Sequence, residues 1–295
     1  MTSEGARGSS RPVAALVGEL VATPGLLVVV SDFDGTLAPI TPEPMATRIV
    51  PAARMALRRL AGIATARPDR LRVVVLSGRS VLDVAGRVRV GGMTYEGNHG
   101  IEFGTLARRA RAERLTVQTD EALASFVDTA HRLGLAVVRR LGNPDWLFVE
   151  DKGPTVAFHF RKAADGERAR AAVLEAIEAE EAEVGAHGLV AFEGRKVVEF
   201  RPAGVGGKGT AVERLIAREH PAAVLVLGDD RSDAEAFAAV RAARVTGSIR
   251  GLALAVHGAS ETPDEILATA DAELPDPAAA ARVLALIARL LSRES

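Results

Sequence analysis

The chain has 295 residues, with 37 Lys and Arg against 38 Asp and Glu and a formal net charge of −1. About half of the residues are apolar and no basic run alternates with aromatic side chains, so the composition is typical of a globular protein and excludes a nucleic-acid-binding surface of that kind. The chain contains no Cys, which excludes disulfides, thiolate catalysis and cysteine metal sites and fits a cytoplasmic location. The length suits two domains, or one domain with an insertion.

The N-terminal segment, residues 1–22, is predicted to be disordered or partly helical. Its first dozen residues, MTSEGARGSSRP, are small and polar. The apolar stretch that follows is interrupted by Glu19 and by Pro24-Gly25. No run therefore approaches the roughly 20 apolar residues of a membrane-spanning helix, and we expect no association with a membrane.

Four apolar blocks without polar alternation predict strands that are buried on both faces. They cover residues 26–32, 71–78, 223–230 and 252–256. Amphipathic helical stretches separate them, so the sequence predicts an α/β fold whose parallel sheet is covered by helices on both faces. In such sheets functional residues gather at the carboxyl ends of the strands. The first three blocks end there in polar residues, namely Asp32 with Asp34, Ser77, and Asp229 with Asp230.

The middle of the chain has a different pattern, which predicts a small α+β domain over residues 108–197. Short strands and two helices alternate there with tight turns. The predicted elements are a helix capped by Thr119, strands over 135–140, 146–150 and 155–160, a helix over 165–184, and a hairpin over 189–200 that turns at Glu193-Gly194. This domain would be inserted between the two halves of the core, residues 23–107 and 198–295.

The paired carboxylates of the DFDGT segment, Asp32 and Asp34, leave a buried strand one residue apart. One carboxylate can attack an electrophile in line while its neighbour transfers a proton. Repulsion between the two raises the pKa of one of them, and we expect Asp34 to stay protonated beside ionised Asp32. An isolated D-x-D pair is often only a turn or a helix cap. Here further polar strand ends are expected nearby, which favours hydrolysis of a phosphate monoester.

A carboxylate that attacks a phosphate dianion needs positive charge around it. At ~4 Å and an effective dielectric constant near 20, each unlike pair contributes about 4 kcal/mol. Asp229, with Asp32 and the backbone oxygen of Asp34, would give Mg²⁺ a site of hard oxygen ligands. Lys208 would add a fixed ammonium, and Ser77 would donate hydroxyl and backbone hydrogen bonds to phosphate.

Four segments, namely DFDGT, Ser77, Lys208 and GDDRSD (228–233), resemble the motifs of the haloacid dehalogenase superfamily of Mg²⁺-dependent phosphotransferases. The resemblance implies a Rossmann-like parallel-sheet core. It also implies that the inserted domain is an α/β cap that closes over the site and recognises the leaving group of the substrate.

The same resemblance implies the catalytic roles. Asp32 is the nucleophile that forms an aspartyl-phosphate, and Asp34 is the general acid and then the base that activates water. Ser77 and Lys208 hold the phosphoryl group. The implied ligands and supports of Mg²⁺ are Asp32, Asp34, Asp229, Asp230 and Asp233.

Longer segments resemble the trehalose-6-phosphate phosphatase family, in the order of that family and from about residue 26 to residue 240. They are DGTLAPI, YEGNHGIE (95–102), VEDKGPTVAFHFR (149–161), RKVVEFRP (195–202) and LGDDRSDAEAF (227–237). The resemblance implies hydrolysis of trehalose 6-phosphate and a functional link to a trehalose-6-phosphate synthase. The implied substrate-binding residues are Gly78, Arg79, Asn98, His99, Glu150, Lys152, Arg195 and Glu199. The chain departs from the family pattern at Arg195, where Lys is more frequent, at Ser232, where Thr is usual, and at Ala234, where an acid is usual.

Several alternatives remain open at this stage. A sugar phosphatase with the same type of cap, acting on sucrose phosphate or on a glycosyl-3-phosphoglycerate, would carry the same catalytic motifs. A non-catalytic sugar-phosphate sensor or a domain that regulates a synthase is disfavoured, because such a protein is expected to have lost Asp32, Asp34 or Lys208. Glu150 and Lys152 also fit a surface ion pair at a hairpin turn, and His159 fits a packing role in the inserted domain.

Overall fold

The structure is a computed structural model that describes residues 11–41, 43–119, 121–184, 188–194, 196–203, 207–257 and 264–294. The chain folds into two compact units, one of Met1–Gln118 with Gly207–Ser295 and one of Thr119–Gly206. The predicted architecture, a mainly parallel sheet with helices on both faces and a smaller α+β unit inserted in the chain, is confirmed. No helix in the described ranges combines the length and the apolar character needed to cross a bilayer.

The larger unit is built on a sheet whose strand order is β12-β11-β10-β1-β2-β3-β4-β5. Neighbouring strands from β12 to β3 are parallel, and β4 runs antiparallel to β3. The strands are β1 (Leu27–Ser31), β2 (Leu71–Leu76), β3 (Met93–Gly97), β4 (Glu102–Leu106), β5 (Gln118–Thr119), β10 (Ala223–Gly228), β11 (Arg250–Val256) and β12 (Ala272–Leu274).

Helices cover both faces of this sheet, which is why its central strands are apolar without alternation. In β1, Leu27 and Val29 contribute to one apolar core and Val28 and Val30 to the other. The first core is closed by α1 (Val13–Val21), α2 (Pro51–Ala66), α3 (Val81–Val88) and α9 (Pro277–Leu291). The second is closed by α6 (Lys208–Glu219), α7 (Arg231–Val245) and α8 (Asp264–Thr269).

The smaller unit is an antiparallel sheet with two helices on one face. Its strand order is β6-β7-β9-β8, and Phe158, Val198 and Phe200 pack against the helices. The strands are β6 (Phe148–Asp151), β7 (Val156–His159), β8 (Leu189–Gly194) and β9 (Val197–Pro202), and the helices are α4 (Glu121–Arg140) and α5 (Gly166–Val184). Because successive residues of a strand point to opposite faces, Glu150, Ala157, Glu199 and Phe192, paired across the four strands, form one row on the other face.

Three predicted details of the inserted unit are wrong. Residues 135–140 continue α4 instead of forming a strand, because Leu133, Ala136 and Val137 keep a helical spacing and are all buried. The unit extends over Thr119–Gly206 and not over 108–197, because β9 pairs with β7 and β8 and so belongs to the smaller sheet. The hairpin turns after Gly194, which pairs with Val197, and not at Glu193-Gly194.

The N-terminal prediction concerns residues of which only part is described. Val13–Val21 form α1, in agreement with a partly helical segment. Residues 1–10 lie outside the described part of the chain.

Candidate active site

Three neighbouring parallel strands bring their carboxyl ends to one edge of the main sheet. Asp229 follows β10, Asp32 follows β1 and Ser77 follows β2, and these strands are adjacent in the order β10-β1-β2. The backbone N–H of Asp32 donates to the carbonyl of Leu227 at 2.9 Å, which continues the ladder of β1 and β10 by one residue. All three side chains are buried.

Lys208, the first residue of α6, lies between two of the buried carboxylates. Its Nζ donates to Asp32 Oδ1 at 2.7 Å and to Asp233 Oδ1 at 2.8 Å, and the Lys208 side chain is only 2% exposed. Burial opposes the ammonium charge, but Asp233 and Asp32 raise the pKa of Lys208 well above its ordinary value. Lys208 is therefore a permanent cation in this site.

Asp32, Asp229 and Asp233, here named the carboxylate cluster, each bring one oxygen within 4.8 Å of the oxygens of the other two. Burial raises the pKa of Asp32 to about 6, with Lys208 acting in the opposite direction. Burial and then the charges of Asp32 and Asp233 raise the pKa of Asp229 well above its ordinary value. Burial also raises the pKa of Asp233, although Lys208 opposes this effect. The pKa values are raised because burial removes water from these carboxylates and because the single positive charge of Lys208 does not balance their negative charges.

The carboxylate cluster fits a divalent metal ion by charge and by donor chemistry. Three carboxylates and the single ammonium of Lys208 give a formal charge of −2 (−3 from the acids and +1 from the lysine). Closely spaced carboxylate oxygens are the protein ligands that Mg²⁺ prefers. A divalent cation would balance the charge that now raises the pKa values.

Asp229 is held in place by the DFDGT segment. Thr36 Oγ1 donates to Asp229 Oδ1 at 3.0 Å, and both residues are buried. Gly35 has a φ of +81°, and a Cβ on it would lie 1.9 Å from Asp229 Oδ2. Only glycine therefore allows the backbone after Asp34 to pass this close to the carboxylate.

Asp34 is bound by Arg79 and is not a member of the carboxylate cluster. Arg79 Nε and Nη2 donate to its two carboxylate oxygens at 2.6 Å and 2.8 Å, and Arg79 Nη1 donates to Asp83 at 2.9 Å. Burial opposes the charge of Arg79, but the hydrogen bonds that its guanidinium donates to these two acids raise the pKa of Arg79. Burial raises the pKa of Asp32, whereas the Asp34 side chain is 37% exposed and its two oxygens contact Arg79. The structure thus presents Arg79 as a partner of Asp34.

Asp230 and Asp233 begin α7 with a reciprocal cap. Asp230 is the N-cap, and its side chain accepts from the backbone N–H groups of Ser232 and Asp233. Asp233 Oδ2 in turn accepts from the backbone N–H groups of Asp229 and Asp230 at 3.1 Å and 3.2 Å. The Asp230 side chain is 58% exposed. Of these two predicted metal-site residues, only Asp233 points its carboxylate into the cluster.

The loop after β3 is joined to the loop after β2. The N–H of Asn98 donates to the carbonyl of Arg79 at 2.8 Å, and the N–H of His99 donates to the carbonyl of Ser77 at 3.0 Å. Asn98 and His99 both have a positive φ, of 48° and 57°, a left-handed backbone conformation that Asn and His adopt more readily than most other non-glycine residues. A Cβ on Gly78 would lie 2.8 Å from the His99 ring. The predicted residues Ser77, Gly78, Arg79, Asn98 and His99 therefore form one packed substructure.

Three predicted substrate-binding residues of the smaller unit lie together on the sheet face that the helices leave open. Lys152 Nζ is 3.7 Å from Glu199 Oε1 and 3.9 Å from Glu150 Oε2. Lys152 and Glu199 are both buried, whereas the Glu150 side chain is 38% exposed. The fourth predicted residue, Arg195, lies outside the described residues.

Residues that the sequence reasoning did not assign also lie in these groups. Thr36 holds Asp229 as described above, and His159 Nε2 lies 3.0 Å from Glu150 Oε2. Arg201 is buried, with its guanidinium 3.1 Å from the centroid of the Phe192 ring. The sequence could have identified His159 and Arg201, because strand alternation places them on the sheet face that carries Glu150 and Glu199. No such pattern points to Thr36, whose partner is 193 residues away in the chain.

Comparison with known proteins gives a family assignment. The family profile described as "Trehalose-phosphatase" matches residues 30–266. A trehalose-phosphate phosphatase of Mycobacterium avium is 37% identical over 221 residues, which are 73% of this chain and 52% of that protein. A protein of Mycobacterium tuberculosis described as an uncharacterized glycosyl hydrolase is 36% identical over 221 residues, 71% of this chain and 15% of its own length.

Solved structures agree with the fold. The C-terminal domain of a trehalose-6-phosphate phosphatase of C. albicans superimposes with a TM-score of 0.71 at 19% identity, over 96% of this chain and 98% of that one. The chain spans about half the length of the curated trehalose-phosphate phosphatases that it matches. The matched profile covers most of the sequence, and the chain therefore belongs to the trehalose-phosphatase family.

Proposed function

We propose that the protein hydrolyses trehalose 6-phosphate to trehalose and phosphate with Mg²⁺ as its cofactor. The observation that carries the proposal is the buried Asp32 carboxylate, hydrogen-bonded to Lys208 and grouped with Asp229 and Asp233. This arrangement occurs in a chain of the trehalose-phosphatase family. A carboxylate held beside a fixed cation is suited to attack on a phosphate group.

In the proposed reaction Asp32 is the nucleophile. A carboxylate oxygen attacks phosphorus in line, the bond from phosphorus to the sugar oxygen breaks, and Asp34 donates its proton to that leaving oxygen. The resulting aspartyl-phosphate is then hydrolysed. Asp34, now ionised, takes a proton from the attacking water, phosphate leaves and the Asp32 carboxylate is regenerated.

Other residues are proposed to hold the reacting groups. Lys208 and Ser77 bind the phosphoryl oxygens, and Arg79 orients Asp34. The oxygen of Asp34 that carries the transferred proton leaves its contact with Arg79, and the other oxygen keeps its contact. Asp32, Asp229 and Asp233 would hold Mg²⁺, with the backbone oxygen of Asp34 as a further ligand. When bound, the ion supplies positive charge that neutralises the attacking carboxylate and the phosphate oxygens.

Glu150, Lys152 and Glu199 are proposed to bind the sugar. Carboxylates accept hydrogen bonds from the hydroxyls of the disaccharide, and the lysine donates to them. The support for this role is the short separation of Lys152 from both acids on one sheet face. Such a site rejects analogues that lack a hydroxyl partner by factors of up to about 10⁴–10⁵, because buried charged groups are then left unpaired.

The test is phosphate release from a panel of sugar phosphates, each measured with Mg²⁺ and with EDTA. We expect turnover of trehalose 6-phosphate that EDTA abolishes and that Asp32→Asn reduces to background. Asp69→Asn, an exposed acid elsewhere in the larger unit, is the matched control and should keep full activity. Preferred turnover of sucrose phosphate or of a glycosyl-3-phosphoglycerate would end the substrate assignment, and binding of the sugar phosphate without turnover would identify a sensor.

A further inference from the structure

A groove between α2 and α9 lies on the larger unit and is formed by residues that have no part in the proposed reaction. Its volume is ≈ 820 Å³. We name it the α2–α9 groove and define it by four arginines, Arg59, Arg67, Arg282 and Arg289, and by the apolar side chains of Ile63 and Leu286. The groove thus combines positive charge with an apolar lining.

The positive charge of this region is not balanced by the helices that form it. Neither α2, PAARMALRRLAGIATA, nor α9, PAAAARVLALIARLL, contains an acidic residue, although the whole chain has a net charge of −1. Arg67 and Arg282 have distant acidic neighbours, Glu294 at 3.8 Å and Asp276 at 4.0 Å.

The other two arginines are exposed and available to a ligand. Among the residues that the structure describes, neither Arg59 nor Arg289 has a carboxylate partner within 4.0 Å. Arginine binds carboxylates through two parallel hydrogen bonds, so a partner that carries carboxylates would satisfy both groups.

The dimensions of the groove favour a helical ligand. Its lining residues recur once per helical turn, at 59, 63 and 67 along α2 and at 282, 286 and 289 along α9. With a rise of about 1.5 Å per residue, these stretches extend over roughly 10–12 Å, or about two turns. An amphipathic helix places its apolar side chains at i, i+3 or i+4, and i+7, so about two turns of such a helix would extend along a groove of this length.

Two other ligands fit the groove less well. A single phosphate would engage one or two arginines and leave Ile63 and Leu286 uncovered. A flat anionic membrane would contact the exposed guanidinium groups but would not enter a groove between two packed helices. An acidic amphipathic helix satisfies both the charge and the apolar lining.

We propose that the α2–α9 groove binds an amphipathic helix of a partner protein, with leucine-like side chains on one face and Asp or Glu beside them. The partner's apolar side chains contact Ile63 and Leu286, and its carboxylates pair with Arg59 and Arg289. This proposal concerns a surface of the core and does not depend on the substrate or on the catalytic mechanism.

The test is fluorescence anisotropy with a synthetic acidic peptide of about 15 residues that has Leu at i, i+4 and i+7 and Glu at the flanking positions. The groove variant is the double substitution Arg59→Glu with Arg289→Glu. The matched control is Arg58→Glu with Arg293→Glu, which makes the same change of charge at exposed positions of the same region that do not line the groove. We expect the groove variant to bind the peptide at least about tenfold more weakly than the control variant does. A scrambled peptide of the same composition should also bind at least about tenfold more weakly.

Several outcomes would overturn the proposal. If both double variants weakened peptide binding equally, or if the scrambled peptide bound equally well, binding would depend on net charge alone and not on the groove. No binding of the peptide at about 1 mM would exclude the helix as occupant. Displacement of the peptide by inorganic phosphate alone, or groove-dependent binding of anionic vesicles without peptide binding, would assign the groove to those ligands instead. Phosphate release and the thermal midpoint, measured for both variants, show that each remains folded.

Discussion

Replacing Lys208 by Met should destabilise the larger unit, and by more at pH 7 than at pH 5. The ammonium lies 2.7 Å from Asp32 Oδ1 and 2.8 Å from Asp233 Oδ1 in a side chain that is 2% exposed. At these distances and an effective dielectric constant of about 20, each contact contributes about 6 kcal/mol of attraction before the cost of desolvation is subtracted. Methionine preserves most of the volume and removes the charge.

The size of the loss in the free energy of unfolding depends on how Asp32 and Asp233 respond to the removal of Lys208. Their oxygens lie within 4.8 Å of each other, so two ionised carboxylates would repel by at least about 3.5 kcal/mol. Alternatively one of them takes a proton. Because the pKa of Asp32 is already about 6 with Lys208 present, protonating Asp32 costs about 1.4 kcal/mol at pH 7 and nothing at pH 5. This route gives a loss of at least about 1.4 kcal/mol at pH 7 and a smaller loss at pH 5, where Asp32 is already largely protonated.

The sign of the pH dependence is determined by the direction of the pKa shifts. Loss of the ammonium raises the folded-state pKa of Asp32 and Asp233 further above the unfolded value of 3.8. A carboxyl group with a raised folded-state pKa loses stability as the pH rises from its unfolded value towards its folded value. The free energy of unfolding of Lys208→Met should therefore fall further below that of the wild type as the pH increases.

The assay is urea denaturation followed by far-UV circular dichroism at pH 5 and pH 7, with EDTA present so that no divalent cation replaces the lost charge. Lys162→Met, at an exposed lysine, is the control and should change the free energy of unfolding by less than about 0.5 kcal/mol. An equal loss at both pH values would refute the electrostatic reasoning. So would a loss below about 1 kcal/mol at pH 7.

Three further outcomes are expected. In Arg79→Lys the lysine cannot make the two-point contact with Asp34. This substitution should lower kcat about 10- to 100-fold while the thermal midpoint changes little. An unchanged kcat would show that Arg79 does not position Asp34. Burial raises the pKa of Glu96 above 4.5. Wild-type stability should therefore fall as the pH rises above 4.5, and Glu96→Gln should reduce this fall in denaturation experiments. Gly35→Ala places a Cβ 1.9 Å from Asp229 Oδ2 at a φ of +81°. It should lower the rate of phosphate release at least about 100-fold. Retention of activity would show that the DFDGT backbone can move away from Asp229.

The parallel core was predictable because its central strands obey a simple physical rule. A strand buried on both faces has no polar alternation, and LVVVS in β1 or AVLVLG in β10 are apolar to their last residues. The strands β3, MTYEG, and β4, EFGTL, were not predicted. They are short and mix polar with apolar residues, because Thr94 and Thr105 contact each other across the strands and Glu96 faces Arg218. These side-chain contacts form only in the folded protein, so they cannot be identified from the sequence of either strand.

The inserted unit shows a different limit of sequence reasoning. Residues 135–140, LAVVRR, contain adjacent β-branched residues that favour a strand. In the structure they form the last part of α4, where Ala136 and Val137 are buried beneath the small sheet. Tertiary burial of one helical face here outweighs the local preference, which amounts to only a fraction of a kcal/mol per residue.

The position of the candidate site was predictable, but the pairing of its charges was not. Strand ends located Asp32, Ser77 and Asp229, since carboxyl ends of adjacent parallel strands meet at one edge. The sequence shows that arginine follows Ser77-Gly78, but it does not show that this guanidinium selects Asp34, 45 residues earlier. The resemblance assigned Arg79 to the substrate, and the structure gives it two protein carboxylates. Which acid pairs with which cation depends on distances of a few ångströms that sequence spacing does not determine.

The carboxylate cluster explains why the fold retains a feature that lowers its stability. Burial of three acids around one lysine leaves a formal charge of −2 and raises the pKa of each acid, so these acids by themselves oppose folding at neutral pH. A core selected for stability alone would contain apolar residues or a balanced ion pair at these strand ends. The same unbalanced charge would favour a bound divalent cation, because each unit of positive charge that enters would relieve repulsion already present in the folded chain. The local conflict at the ends of β1 and β10 is therefore itself an indication of function, independent of any family resemblance.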